Sequence, residues 1–169
     1  MAEAAQGCAR GARGRRLRAR AGFAAIMLVA ALGATRADDI RVYSKQAPFE
    51  EVKFELTNAI IARGLTIDHT GQVGRMLERT GPDVGSVKPL YVAAEFVTFC
   101  SAKLSRAMVE ADLTHIGFCP YVVFIYEAAA KPGETVVGYR RPLLPGGNTP
   151  RTLSDIDELL DAIVRDALK

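Results

Sequence analysis

Beyond Ala37 the hydrophobic positions recur either about every 3.6 residues or every second residue, and the switches between these two periods divide the chain into elements. IRVYSK (residues 40–45) reads as a short first strand. A helix is predicted over residues 48–63, because Phe49, Val52, Leu56, Ala59 and Ile60 recur at helical spacing. Glu50, Glu51 and Glu55 lie early in it, where the helix dipole favours acids. Gly64 ends it, since glycine accepts the left-handed turn that closes a helix. LTIDHT (65–70) alternates as a strand, with Leu65, Ile67 and His69 predicted to point to the core and Thr66, Asp68 and Thr70 away from it. Residues 72–79 predict a short helix, and GPDVGSVKP after them a loop.

The third strand is predicted over residues 89–100, with Glu95 an unusual charge inside it. SAKLSRAMVE (101–110) reads as a helix with Leu104, Met108 and Ala107 inward. Residues 120–126 are nearly all apolar and β-branched or aromatic, which predicts a central strand. AAAKPGE turns the chain into a last strand over 135–140, and PLLPGGNTP leads to a final helix. Thr152, with Asp155 three residues later, is the expected cap of that helix. Leu153, Ile156, Leu160, Ile163 and Ala167 form its inner stripe. The order is β-α-β, a short helix, then β-α-β-β-α. It predicts an α+β fold, a mostly antiparallel sheet with helices packed on one face.

The first 37 residues belong to a different class. They hold seven arginines and one acid, Glu3, and Arg10 to Arg20 precede an apolar run from Phe23 to Ala34. That run is shorter than the roughly 20 residues needed to span a bilayer. Basic, then apolar, then small residues make a cleavable secretory signal over 1–37, with cleavage expected between Ala37 and Asp38 and a periplasmic destination. A Sec-type signal is the primary expectation. Arg15-Arg16 raises the twin-arginine route, but Leu17-Arg18-Ala19 lacks the usual apolar pair. Cys8 precedes the apolar run, so it is misplaced for a lipid anchor. The leader also carries the basic charge. The whole chain has 22 basic and 19 acidic residues; without the leader's seven arginines and one acid, 15 and 18 remain, a net charge of −3. With no basic cluster beyond Arg140-Arg141, nucleic-acid binding is rejected. Residues 38–169 form one domain's worth of chain with no further membrane span expected, enough to bury a core without a metal or disulfide.

Four segments of that domain together carry a family resemblance: FEEVKFELTNAIIARG followed by LTIDHTGQ, then EFVTFCSAKLSRAMVEAD, then CPYVVFIYE, then VVGYRRP. In this order they resemble the bacterial family known as domain of unknown function 302, over roughly residues 40–142. The resemblance implies a compact α+β fold similar to one repeat of the TATA-binding-protein fold. It implies no DNA binding, because fold does not carry function, and it brings no established activity. The family commonly has Asn-Pro after the third strand where this chain has Ser101-Ala102, so no role of that loop is carried over.

Cys100 and Cys119 are the cysteines left after cleavage, and an even pair in an oxidising compartment is usually bonded. A structural disulfide, two buried free thiols and a redox-active or metal-ligating pair all stay open at this point. The spacing is not CxxC, which argues against a thioredoxin-type dithiol. His69 and His115 are the two histidines. His69 reads either as a satisfied core residue or, with His115, Cys100, Cys119 and the thioethers of Met76 and Met108, as part of a soft site for copper or haem iron. Asp68, Glu95 and Glu127 lack the spacing of a catalytic pair and read as solvated or ion-paired acids; Arg140-Arg141 reads as a solvated strand end or a hold for an anion. The chain has no Walker loop, dinucleotide fingerprint, HExxH or nucleophile elbow. An enzyme of a motif-bearing class is thereby disfavoured, and a motif-free one stays open. The primary expectation is an exported accessory protein that binds a small ligand, metal or haem near His69, His115, Cys100 and Cys119. The alternatives are a thiol/disulfide redox-responsive protein and an interaction module that joins a protein partner or a second copy through an exposed sheet face or edge.

Overall fold

The structure, a computed structural model, describes residues 39–144 and 146–169. The leader and its cleavage point lie outside them. Five strands form one antiparallel sheet: β1 (Ile40–Gln46), β2 (Ile67–Gly71), β3 (Tyr91–Phe99), β4 (Tyr121–Ala128) and β5 (Glu134–Arg140), in the spatial order β1-β5-β4-β3-β2. The α+β class, the antiparallel sheet and the central place of the apolar fourth strand agree with the sequence reading. Among the described residues, no helix is long and apolar enough to cross a membrane.

Three helices, α1 (Phe49–Ile61), α3 (Ala102–Ala111) and α4 (Arg151–Asp166), pack together over one sheet face. Val52, Leu56 and Ile60 of α1 and Ile156, Leu160 and Ile163 of α4 meet there the inward residues of the central strands, including Phe99, Val123, Ile125 and Val137. All are at most 1% exposed. Gly64, at φ +70°, takes the left-handed turn out of α1. The short α2 (Val73–Thr80) is different. A Cβ on Gly74 would lie 2.9 Å from the backbone nitrogen of Ala94, and Ala94 shares the strand face opposite Val97 and Phe99. This helix therefore covers the β3 end of the second face.

Two local expectations change. Thr152 is not the cap: α4 starts at Arg151 after Pro150, and the buried Thr152 hydroxyl has no hydrogen-bond partner. The observed N-cap is Pro150, two residues earlier than the capping-box spacing implies, and its fixed φ of −60° leads the chain directly into the helix. Ala107 is exposed, whereas Met108 is buried as its helical spacing predicts and Leu104 is half-buried.

A polar network ties α4 to β1 and β5. Asp157, Asp161 and Arg165 recur every fourth residue and so share one side of the helix. Arg141 grips Asp157 through two nitrogens, Nη2 to Oδ2 at 2.7 Å and Nε to Oδ1 at 3.0 Å, with Nε also 3.3 Å from Oδ2. Asp161 accepts hydrogen bonds from Arg41 at 3.0 Å, the Tyr43 hydroxyl at 2.5 Å and Arg165 at 2.7 Å. Partial burial alone would raise the pKa of Asp161, but those three donors outweigh it and hold the carboxyl down from 3.8 to about 2. A depressed pKa gives stability that is present above the ordinary carboxylate range and lost as pH falls through the folded value. We expect Asp161→Asn to cost about 1–2 kcal/mol near neutrality, after allowance for solvent screening. Urea denaturation should show this difference shrinking as pH falls from about 4 to about 2 and absent below that.

Candidate functional site

The four side chains singled out as a ligand or metal set sit in three separate environments. Cys100 follows β3 and Cys119 precedes β4; they are joined in a disulfide with Cα atoms 6.4 Å apart, within the range such bonds span. The sulfurs therefore have each other as partners. His115 is 5% exposed and lies in the 3-10 segment Leu113–Phe118. Its Nδ1 is 3.1 Å from the Met108 carbonyl. A carbonyl can only accept, so Nδ1 carries the proton, and the ring closes the turn after α3 as a satisfied core histidine.

His69 is exposed, contrary to the inward orientation that strict alternation predicts. The cause is a β-bulge. Ile67 pairs with Phe99, but His69 pairs with Thr98, so Asp68 is an extra residue in the ladder. An extra residue inverts the alternation beyond it. His69 thus turns to the second sheet face, where its ring centroid lies 6.0 Å from that of Phe96. Among the described residues, no group of three or more His, Cys, Asp or Glu side chains is placed to hold a metal ion.

Glu95, Glu127 and Arg141 of the candidate carboxylates and cations have partners. The Lys53 ammonium lies 2.9 Å from both oxygens of Glu95, well aligned to Oε1 and off the hydrogen-bond direction of Oε2. Glu127 accepts the Gly133 amide at 2.8 Å in the β4–β5 hairpin, and Asp68 is solvated in the bulge. Arg141 is taken up by Asp157, whereas Arg140 is exposed.

What the structure presents instead is the second sheet face. In β1 the pattern runs against the usual rule: Arg41 and Tyr43 lie under α4, while Ile40 and Val42 point away and are 48% and 51% exposed. The register puts Val136 and Gly138 of β5, and Val122, Phe124 and Tyr126 of β4, on that same side. Phe96 of β3 continues it towards α2. Gly138 is required at its centre: a Cβ there would meet the Phe124 ring at 2.5 Å and the Arg41 carbonyl at 2.6 Å. The ring lies over the glycine and fills the space a side chain would take. A hollow of about 340 Å³ is lined on this face by Val42, Ser44, Tyr126 and Val136, with Lys131 and Glu134 at its end. The face is apolar and aromatic, and α2 covers only its β3 end.

The domain-of-unknown-function model DUF302 matches residues 40–167, which takes in all five strands and all four helices. The chain belongs to the DUF302 family. The crystal structure of an uncharacterized conserved DUF302 protein from Bacillus stearothermophilus is similar, with a TM-score of 0.63 and 16% sequence identity over 78% of this chain and 99% of that one. At that identity the likeness speaks for the DUF302 fold alone. No curated protein matches the chain. The family assignment agrees with the resemblance carried by the four sequence segments and extends it through α4.

The second face escaped the sequence reading for a specific reason. IRVYSK alternates apolar and polar, which normally puts Ile40 and Val42 in the core. The signal that reverses it lies about 120 residues away, in Asp157 and Asp161, the partners that draw Arg41 and Tyr43 inward.

Proposed function

We propose that this DUF302 protein is an exported accessory protein that works as an interaction module. Its working surface is the second face of the sheet, and its occupant is a second copy of the chain. One observation carries the reading: the face is apolar across β1, β5, β4 and β3 yet has a helix over only one end. A contiguous exposed apolar patch marks an interaction surface. Sheets pack face to face about 10 Å apart with their inner side chains interdigitated.

Charge favours a second copy over another partner. Arg140 and Glu134 occupy opposite ends of β5 on this same face. Arg140 is exposed; Glu134 has Lys131 at 3.4 Å, and its carboxyl is held below the usual range by the Ser44 hydroxyl and then by Lys131. A two-fold axis in the interface, perpendicular to β5, sets Arg140 of each copy over Glu134 of the other, as an isologous contact requires.

Sedimentation equilibrium of the exported, processed protein tests this. The wild type should be dimeric at micromolar concentration. Val42→Asp should weaken association about a hundredfold, the scale of losing an apolar anchor at an interface centre. Arg140→Glu should weaken it, and adding Glu134→Arg should restore it. A wild type that stays monomeric at millimolar concentration, or a charge swap that restores nothing, would overturn the proposal.

A further inference from the structure

The disulfide has surroundings that a purely structural clip does not need. Both cysteines are half-buried, and the 3-10 segment leading into Cys119 is exposed at Leu113 and Ile116. Cys100 directly precedes Ser101, whose side chain caps α3 by accepting the Leu104 amide at 3.4 Å. One turn into α3, the Ser105 hydroxyl lies 3.6 Å from the Cys119 sulfur and 3.0 Å from the Tyr121 hydroxyl.

The direction of this chain of contacts follows from chemistry. A disulfide sulfur carries no proton, so Ser105 must donate to Cys119. The oxygen of Ser105 is then free to accept from Tyr121. Burial raises the pKa of Tyr121, which keeps that phenol protonated as the donor. The result is an aligned relay, Tyr121 to Ser105 to Cys119, that ends on a sulfur with no proton of its own. Such a relay strengthens if that sulfur gains negative charge, because hydrogen bonds to ionised groups are about twice as strong as neutral ones.

We propose that Cys100–Cys119 is a thiol–disulfide exchange site in which Cys119 departs as a thiolate onto the Ser105 hydroxyl. The co-reactant is a dithiol. One of its thiolates attacks the Cys100 sulfur. The bond between the two cysteines breaks, its electron pair goes to Cys119, and a mixed disulfide forms on Cys100. The second thiolate of the reductant then attacks its own sulfur in that mixed disulfide and releases Cys100 as a thiolate beside the amino terminus of α3, where the helix dipole favours it. The two protons lost by the dithiol end on Cys100 and Cys119. The protein disulfide gains two electrons and the dithiol becomes a disulfide. This activity does not rest on the second sheet face and goes beyond the interaction reading.

The test follows reduction of the native, processed protein by dithiothreitol, with alkylation and mass readout. The rate should rise in proportion to dithiothreitol with the protein folded throughout. Ser105→Ala should slow it about tenfold, the worth of one hydrogen bond to a charged group. Ser105→Thr, which keeps the hydroxyl, should restore it, and Tyr121→Phe should slow it by a smaller factor. A rate that does not respond to dithiothreitol and follows global unfolding would overturn the proposal, as would a Ser105→Ala rate equal to wild type. Should Ser105→Ala not fold, the wild type decides the matter. Brief reaction with the monothiol 2-mercaptoethanol, acid quench and peptide mapping should place the mixed disulfide on Cys100 and the free thiol on Cys119, and the reverse placement would overturn the assignment of the leaving sulfur.

Discussion

Asp157→Ala is expected to lower the unfolding free energy by about 3–5 kcal/mol, the usual loss when one partner of a buried, hydrogen-bonded charge pair is removed. Asp157 is 9% exposed and serves several donors together. Oδ1 accepts from the Tyr139 hydroxyl at 3.1 Å and from Arg141 Nε at 3.0 Å, Oδ2 accepts from Arg141 Nη2 at 2.7 Å, and Arg41 stands 3.8 Å from Oδ2. Tyr139 is fully buried; burial, and after it the Asp157 charge, raise its pKa so that it remains a neutral donor. Without the carboxylate, Tyr139 retains only a 3.3 Å bond to the Asp157 carbonyl, and a guanidinium that is 23% exposed loses its counter-charge. Against a typical total of about 5–15 kcal/mol, that loss endangers the fold. Urea denaturation of the two proteins measures it. A loss below about 1 kcal/mol would mean that water replaces the carboxylate, as at an exposed ion pair.

Replacing both cysteines, Cys100→Ser with Cys119→Ser, is expected to cost about 3 kcal/mol. Their sequence separation of 19 sets the loop whose closure entropy the bond removes from the unfolded chain. The loop contains all of α3 and the 3-10 segment that follows. Met108 and the buried His115 still anchor that region without the bond, so the double variant should remain folded at room temperature. Thermal unfolding monitored by circular dichroism checks both statements. A double variant as stable as the oxidised wild type would show that the native state carries strain equal to the entropy gained. The same difference links stability to redox state: a reductant acting on the folded protein leaves it weaker by the amount measured here.

Much of the fold was legible because its signals are local. The period of α1, the stop at Gly64, the apolar run of β4 and the inner stripe of α4 each depend on residues within a few turns or pleats of one another. The cysteine pair was legible as a pair, though its bonding was one of several options until β3 and β4 came together as neighbours. The proposed ligand set falls in three separate places, because its members were grouped by chemical type and not by position. His69 was misplaced by a single extra residue, and nothing in IDHTG shows a bulge. Thr152 reads as a cap along the sequence, but the helix is already entered from Pro150, two residues earlier.

The sequence by itself determined the α+β class, the order of strands and helices, the family and the cysteine pair. Those follow from hydrophobic periods, turn residues and segments that act over short distances. Only the tertiary structure decided which face of β1, and of β2 beyond its bulge, is inward. That depends on long-range pairing: Asp157 and Asp161 draw Arg41 and Tyr43 beneath α4, the bulge in β2 turns His69 over, and the Phe124 ring closes over Gly138. With a side-chain period of two, one distant ion pair or one inserted residue reverses a whole strand face. The apolar second face is therefore a product of the folded chain and could not be read along it.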